Sequence, residues 1–205
     1  MSDRGGRLAI WRCELQAQRV SQLARPEAGA SDYGPGAPGR DPSDFLFFRT
    51  EPGSKTPHVW SARVGQADGA VVLGTQMGNQ PWFVPGTNAF VFHSDRDGAD
   101  AVYRQSAKPA ATAERFGAAD TGTSYTTPFP SPDGHRIAFT RCVDGVNQLH
   151  VMRADGSRLQ QLTFGDEASM FPAWSPLGDR IVHVRGEPTA KRPTGRLTVL
   201  TLARN

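Results

Sequence analysis

The sequence predicts an all-β fold, a β-propeller of four-stranded antiparallel blades, on three observations. The first is composition: 22 glycines and 16 prolines fall among 205 residues, against about 25 of the two together at average usage. Both residues interrupt helices and mark turns, and no Gly-X-Y period points to collagen. The second is an internal repeat. Pro128, Pro132, Gly134, Arg136 and Ile137 recur at an ungapped offset of 44 residues as Pro172, Pro176, Gly178, Arg180 and Ile181. A step back of 47 residues lays Pro81 and Pro85 onto Pro128 and Pro132. A period near 45 residues is that of one propeller blade. The third is a recurring hairpin signal, Asp68-Gly69, Asp97-Gly98, Asp144-Gly145 and Asp155-Gly156, where Asp and Gly accept the backbone angles of tight turns. Small antiparallel sheets need a packing partner for their apolar faces, and radial stacking supplies one.

The elements follow in chain order. Residues 1–27 predict a half-blade, with 7–13 and 19–23 as its third and fourth strands. Residues 28–80 predict a degenerate blade. In it Phe45, Leu46, Phe47 and Phe48 hold the second-strand position, after a Pro- and Gly-rich stretch over 33–42. Residues 81–125 predict a blade whose second strand is Ala89, Phe90, Val91 and Phe92. Residues 126–168 give the clearest blade. Its first turn is Ser131-Pro132-Asp133-Gly134, where proline presets the turn, aspartate bonds its own backbone and glycine supplies positive φ. Strands follow at 136–140, 148–152 and 159–163. Residues 169–205 predict a three-stranded terminal blade, with strands at 169–175, 180–185 and 196–202. Pro81, Pro85, Pro128, Pro132, Asp133, Gly134, Pro172, Trp174, Pro176 and Gly178 are thus structural residues of the repeat. Trp82, Phe129 and Trp174 are expected to pack between sheets, as large aromatics do at such interfaces.

Bulk properties exclude several classes. The longest apolar runs are four or five residues, whereas a membrane helix needs about 20. The opening Met1-Ser2-Asp3-Arg4-Gly5-Gly6-Arg7 leads only into Leu8-Ala9-Ile10-Trp11, too short for a signal-peptide core. The chain as written is therefore expected in the cytoplasm; a start lying upstream would place it in the periplasm. Cys13 and Cys142 are too few for a disulfide framework or a cysteine zinc site and are expected to be buried thiols. The net charge is +3, with 23 basic residues spread along the chain among acidic ones. That pattern has no clear nucleic-acid patch and is compatible with a small anionic ligand.

Several stretches carry a family resemblance: FPAWSPLGDRIVHV (171–184), PFPSPDGHRIAFTR (128–141), NQLHVMRADGSRLQQLT (147–163) and SDRDGADAVY (94–103). They resemble the WD40-like repeats of TolB-type β-propellers, over residues 28–203. The resemblance implies a non-catalytic module that binds proteins; TolB-like proteins act in the Gram-negative periplasm within an envelope complex. It also implies two alternatives: the propeller portion of a larger enzyme, a prolyl-oligopeptidase-like peptidase or a carbohydrate-active lyase, or the sensor module of a bacterial regulatory protein. Six or more blades are usual for the family, and at about 45 residues each they need about 270. With about four blades, the chain is expected to be a partial array, a fragment, or a small propeller. In the small propeller the N-terminal strands complete the last blade of a four-bladed ring. Open blade edges predict self-association.

Catalytic signatures do not appear. The nearest string to a nucleophile elbow, Gly122-Thr123-Ser124-Tyr125-Thr126, lacks the final glycine. No His-Glu-x-x-His, phosphate loop or dinucleotide fingerprint occurs. His58, His93, His135, His150 and His183 are scattered rather than clustered. Asp95, Asp97 and Asp100 lie close together, but the glycine falls at the fourth position rather than the sixth of a calcium loop. The expectation is no enzyme, no metal and no cofactor. Strand alternation sorts the loops onto two faces. The longer loops, at 94–100, 108–125, 165–170 and 185–196, share one face, where recognition is usually built. Asp95, Arg96, Asp166, Glu167, Arg185, Lys191 and Arg192 are the candidate binding residues on it.

Overall fold

The computed structural model describes residues 8–34, 39, 41–66, 70–74, 76–116, 123–187 and 195–202. The described residues form strands, turns and loops, with no helix among them. β1 (Trp11–Glu14) and β2 (Arg19–Gln22) make a hairpin. β3 (Ser31–Tyr33), β4 (Asp44–Thr50), β5 (Pro57–Arg63) and β6 (Val71–Val72) form the next sheet in that order. β7 (Asn79–Phe83), β8 (Ala89–Ser94), β9 (Ala101–Ser106) and β10 (Glu114–Phe116) form a third. β11 (Tyr125–Pro130), β12 (Arg136–Val143), β13 (Val146–Arg153) and β14 (Gln160–Gln161) form a fourth. β15 (Ala168–Trp174), β16 (Arg180–Gly186) and β17 (Arg196–Thr201) form the last. Every pairing is antiparallel between consecutive strands, the meander of a propeller blade.

The core lies between successive sheets. Ile10 and Ala24 pack on Phe45, Phe47 and Ala62. Leu46, Val59 and Leu73, on the opposite face of that sheet, meet Phe83, Phe90, Phe92 and Tyr103. Val84, Val91 and Val102 then meet Tyr125, Ile137 and Phe139, and Ala138 and Leu149 meet Trp174 and Ile181. The three inner sheets thus bury both faces, while the β1–β2 hairpin and the β15–β17 sheet at the two ends each bury one and leave Val20, Leu197 and Val199 exposed.

The proline-glycine turns bind blade to blade. In the turn after β11, Ser131 N–H donates to Arg136 O at 2.8 Å and Gly134 N–H to Ser131 O at 2.9 Å. The turn after β15 repeats both bonds, Ser175 to Arg180 and Gly178 to Ser175, each at 2.9 Å. Gly134 has φ +71°, and a Cβ there would stand 2.5 Å from Pro85 O of the preceding sheet. A Cβ on Gly178, at φ +67°, would make only an ordinary contact with Pro132 at 3.7 Å. Positive φ therefore selects glycine in both turns, and at Gly134 the neighbouring turn also occupies its side-chain space.

Several expectations are corrected. Among the described residues the β1–β2 hairpin is a separate sheet, not hydrogen-bonded to β15–β17 as a four-bladed ring would require. The stretch 108–125, expected as one irregular connection, contains β10. The fourth strand expected over 159–163 is shorter, Gln160–Gln161. Cys13 is exposed and Cys142 half-buried; Cys13 pairs with Val20 on the outer face of the hairpin, while Ile10 turns inward. The Asp68-Gly69 signal lies outside the described residues.

Candidate functional site

The first strands of three sheets, β7, β11 and β15, carry a shared irregularity. Register shifts fall between Asn79 and Trp82, Thr126 and Phe129, and Met170 and Ala173. Within each shift a non-glycine residue takes a left-handed conformation: Gln80 at φ 49°, Thr127 at 51° and Phe171 at 56°. A proline follows each one, Pro81, Pro128 and Pro172. Such a residue costs about 1–2 kcal/mol relative to ordinary backbone. A proline lacks the N–H of a regular ladder, and a bulge tolerates that loss.

These three strained residues line one cleft of about 420 Å³. It lies where the first strands converge, on the axis of the array. Tyr33 of β3 and Phe48 of β4 form one wall, stacked at 5.3 Å with their planes 10° apart. Pro81 and Trp82 of β7, Phe129 of β11, and Phe171 and Pro172 of β15 form the rest. The Trp82 and Phe129 rings meet at 4.1 Å. Phe171 is 52% exposed, unusual for so large a ring. Gln80 and Thr127 supply the polar groups, and Gln80 Oε1 is buried without a hydrogen-bond partner.

Buried groups brace the sheets that carry these rings; Asp32 and Arg49 alternate with Tyr33 and Phe48 along β3 and β4 and so face the other side of that sheet. Asp32 and Arg49 form a two-pronged ion pair, at 2.5 and 3.1 Å. Burial raises the Asp32 carboxyl above its ordinary value, against the opposing pull of Arg49. The Arg49 guanidinium also lies 4.5 Å over the Trp60 ring. On the far side, Trp174 donates its indole N–H to Phe129 O at 2.9 Å, and Arg136 lies 4.6 Å over the Trp174 ring. Trp174 is therefore a buried strut between sheets, whereas Trp82 and Phe129 both pack and line the cleft.

The residues singled out from sequence fall in separate places. Arg96 lies over the Phe92 and Tyr103 rings, at 4.9 and 4.7 Å, and donates to Met77 O at 3.2 Å. Asp95 accepts Gly98 N–H through its carbonyl. Glu167 accepts from Arg185 at 2.7 Å and from Arg196 at 2.8 and 2.9 Å. Those guanidinium groups hold its carboxyl below the ordinary range. Asp166 is exposed. Lys191 and Arg192 lie outside the described residues. Glu167 and Arg185 are thus brought together, while Asp95 and Arg96 belong to another sheet. Tyr33, Phe48, Gln80, Thr127 and Phe171 escaped the sequence reading. Their one shared signal is the proline after Gln80, Thr127 and Phe171.

The fold and its axial cleft define a class, a β-propeller of TolB-like architecture. No protein-family model matches the chain. Among solved structures it is similar to a protein designated TolB from Agrobacterium tumefaciens, with 16% identity and TM-score 0.76, covering 90% of this chain and 66% of that one. It is similar to TolB from Acinetobacter baumannii at 20% identity and TM-score 0.72, over 94% of this chain and 46% of that one. It also resembles an oligogalacturonate lyase solved with manganese, at 14% identity and TM-score 0.71, over 95% and 57% of the two chains. The chain therefore spans about half to two thirds of these three proteins.

Proposed function

We propose that the chain is a non-catalytic binding module for a protein, and that its axial cleft receives an extended apolar segment of that partner. One observation carries this reading: rings and prolines from four consecutive sheets line a single cleft, three of its residues on left-handed backbone. Strain of that kind concentrates at ligand sites. Aromatic-lined grooves suit extended, proline-containing peptides, whose backbone loses little entropy on docking. The likeness to two TolB structures supports a protein as the partner class, and the half-exposed Phe171 ring supports this place on the molecule.

The test is selection of displayed peptides against the whole chain, followed by titration with Trp fluorescence. Selected peptides rich in proline and aliphatic residues, weakened at least tenfold by Phe171→Ser and unchanged by Leu177→Ser, support the reading. Leu177 is 86% exposed and outside the cleft. Peptides that bind both variants equally would refute it. The likeness to the lyase favours a second reading, the propeller portion of a carbohydrate-active enzyme. Saturable quenching by oligogalacturonate, with no selected peptide, would support that one instead.

A further inference from the structure

A second cleft, of about 620 Å³, opens between the outer part of the β3–β6 sheet and the face of the β7–β10 sheet. It is distinct from the axial cleft in every lining residue. Tyr103 of β9, 2% exposed, is part of its lining. Arg96 covers one face of the Tyr103 ring at 4.7 Å, and Arg115 of β10 is the direct cross-strand partner of Tyr103, so its side chain rises on the same face of the sheet. Two guanidinium groups therefore flank one ring.

The hydrogen bonds leave both groups underused. Arg96 donates Nε to Ser94 Oγ at 3.0 Å and Nη2 to Met77 O at 3.2 Å, and among the described residues its Nη1 has no partner. These bonds fix its orientation. Among the described residues Arg115 has no carboxylate partner, and its Nε is buried with nothing to accept from it. An unpaired buried donor costs about 1–3 kcal/mol, and more when charged. Among the described residues the one carboxylate lining the cleft, Asp97, already accepts the Tyr103 hydroxyl at 2.6 Å. The cleft thus holds two positive charges and one negative. Leu73 and the 110–113 loop give it an apolar wall.

We propose that this cleft binds a small organic carboxylate, with the Arg115 fork and Arg96 Nη1 on its oxygens and its carbon skeleton against the Leu73 wall. A guanidinium presents parallel donors that match a carboxylate. The apolar wall favours an organic acid over a bare inorganic oxyanion. Gln105 donates Nε2 to Leu73 O at 2.7 Å and so faces its carbonyl oxygen into the cleft, where it can accept from a hydroxyl or amine of the ligand.

The experiment titrates the isotope-labelled whole chain with glutarate and follows the arginine Nε–Hε resonances. Neutral glutaramide and inorganic phosphate are the comparison ligands. Glutarate is expected to shift the Arg115 and Arg96 signals saturably below about 50 mM, with phosphate at least tenfold weaker and glutaramide silent. Arg115→Gln is expected to weaken binding at least tenfold, and the exposed Arg153→Gln less than twofold. Arg115→Lys, which keeps the charge but loses the fork, serves if the glutamine variant misfolds, and is expected to weaken binding as well. No saturable shift, equal binding of phosphate and glutarate, or equal effects of the Arg115 and Arg153 variants would overturn the proposal.

Discussion

Replacing Gly134 with alanine tests how the blades are held together. The residue sits at φ +71°, where a Cβ costs about 1–2 kcal/mol. The new Cβ would also stand 2.5 Å from Pro85 O, a backbone atom of the preceding sheet. Backbone cannot rotate away as a side chain can, so the sheets must separate locally, at a further cost of about 1–3 kcal/mol. The sum is about 2–5 kcal/mol, a large share of a typical domain stability of about 5–15 kcal/mol. Gly145 is the internal control. It lies at φ +81° in the β12–β13 hairpin with nothing within 4 Å of its would-be Cβ. Gly145→Ala therefore carries the conformational cost alone. Urea unfolding followed by fluorescence of the four tryptophans measures both variants. The expected order is a loss for Gly134→Ala exceeding that for Gly145→Ala by about 1–3 kcal/mol. Losses equal within about 0.5 kcal/mol would refute the argument that the Pro85–Gly134 contact locks neighbouring blades.

Three further outcomes are expected. Trp174→Phe removes the 2.9 Å donor to Phe129 O and should cost about 1–2 kcal/mol in the same assay. Phe171→Gly relieves a left-handed side chain and should raise stability by up to about 1 kcal/mol while abolishing peptide binding to the cleft. The third concerns acid. Burial holds His93, His150 and His183 below the ordinary imidazole value. The unfolded chain takes up these protons first, so stability is full above about pH 6.5 and falls below it, by at most about 1.4 kcal/mol per pH unit for each histidine. Thermal melts between pH 5 and 8 measure the slope. His183→Phe should flatten it. Phe47, Phe92 and Phe139 hold the matching place in the preceding sheets, whereas His183 is 1% exposed with both ring nitrogens unpartnered and the Val184 backbone beside it out of hydrogen-bond geometry.

The blade pattern was legible because it is written in residue types. Pro132 and Gly134 prescribe a turn wherever they stand, and their recurrence as Pro176 and Gly178 marks the period. The axial cleft was not legible, because its signature is a backbone irregularity. Gln80, Thr127 and Phe171 share no side-chain chemistry, and only the register shifts after folding bring them to one place. Glu167 and Arg185 were visible as charges, but Arg196, which completes their cluster, lies 29 residues from Glu167. Cys13 shows the limit of composition: free cysteine favours burial, yet in a strand the face is set by parity, and one residue decides between core and solvent.

The central claim is that the first strands of consecutive sheets converge on an aromatic cleft. Proton NOEs between the Trp82 indole and the Phe129 ring test it most directly. The rings lie 47 positions apart in sequence and 4.1 Å apart between centroids. Strong cross-peaks between them, together with cross-peaks from Tyr33 to Phe48, are predicted. Assigned spectra in which Trp82 and Phe129 share no cross-peak would contradict the account.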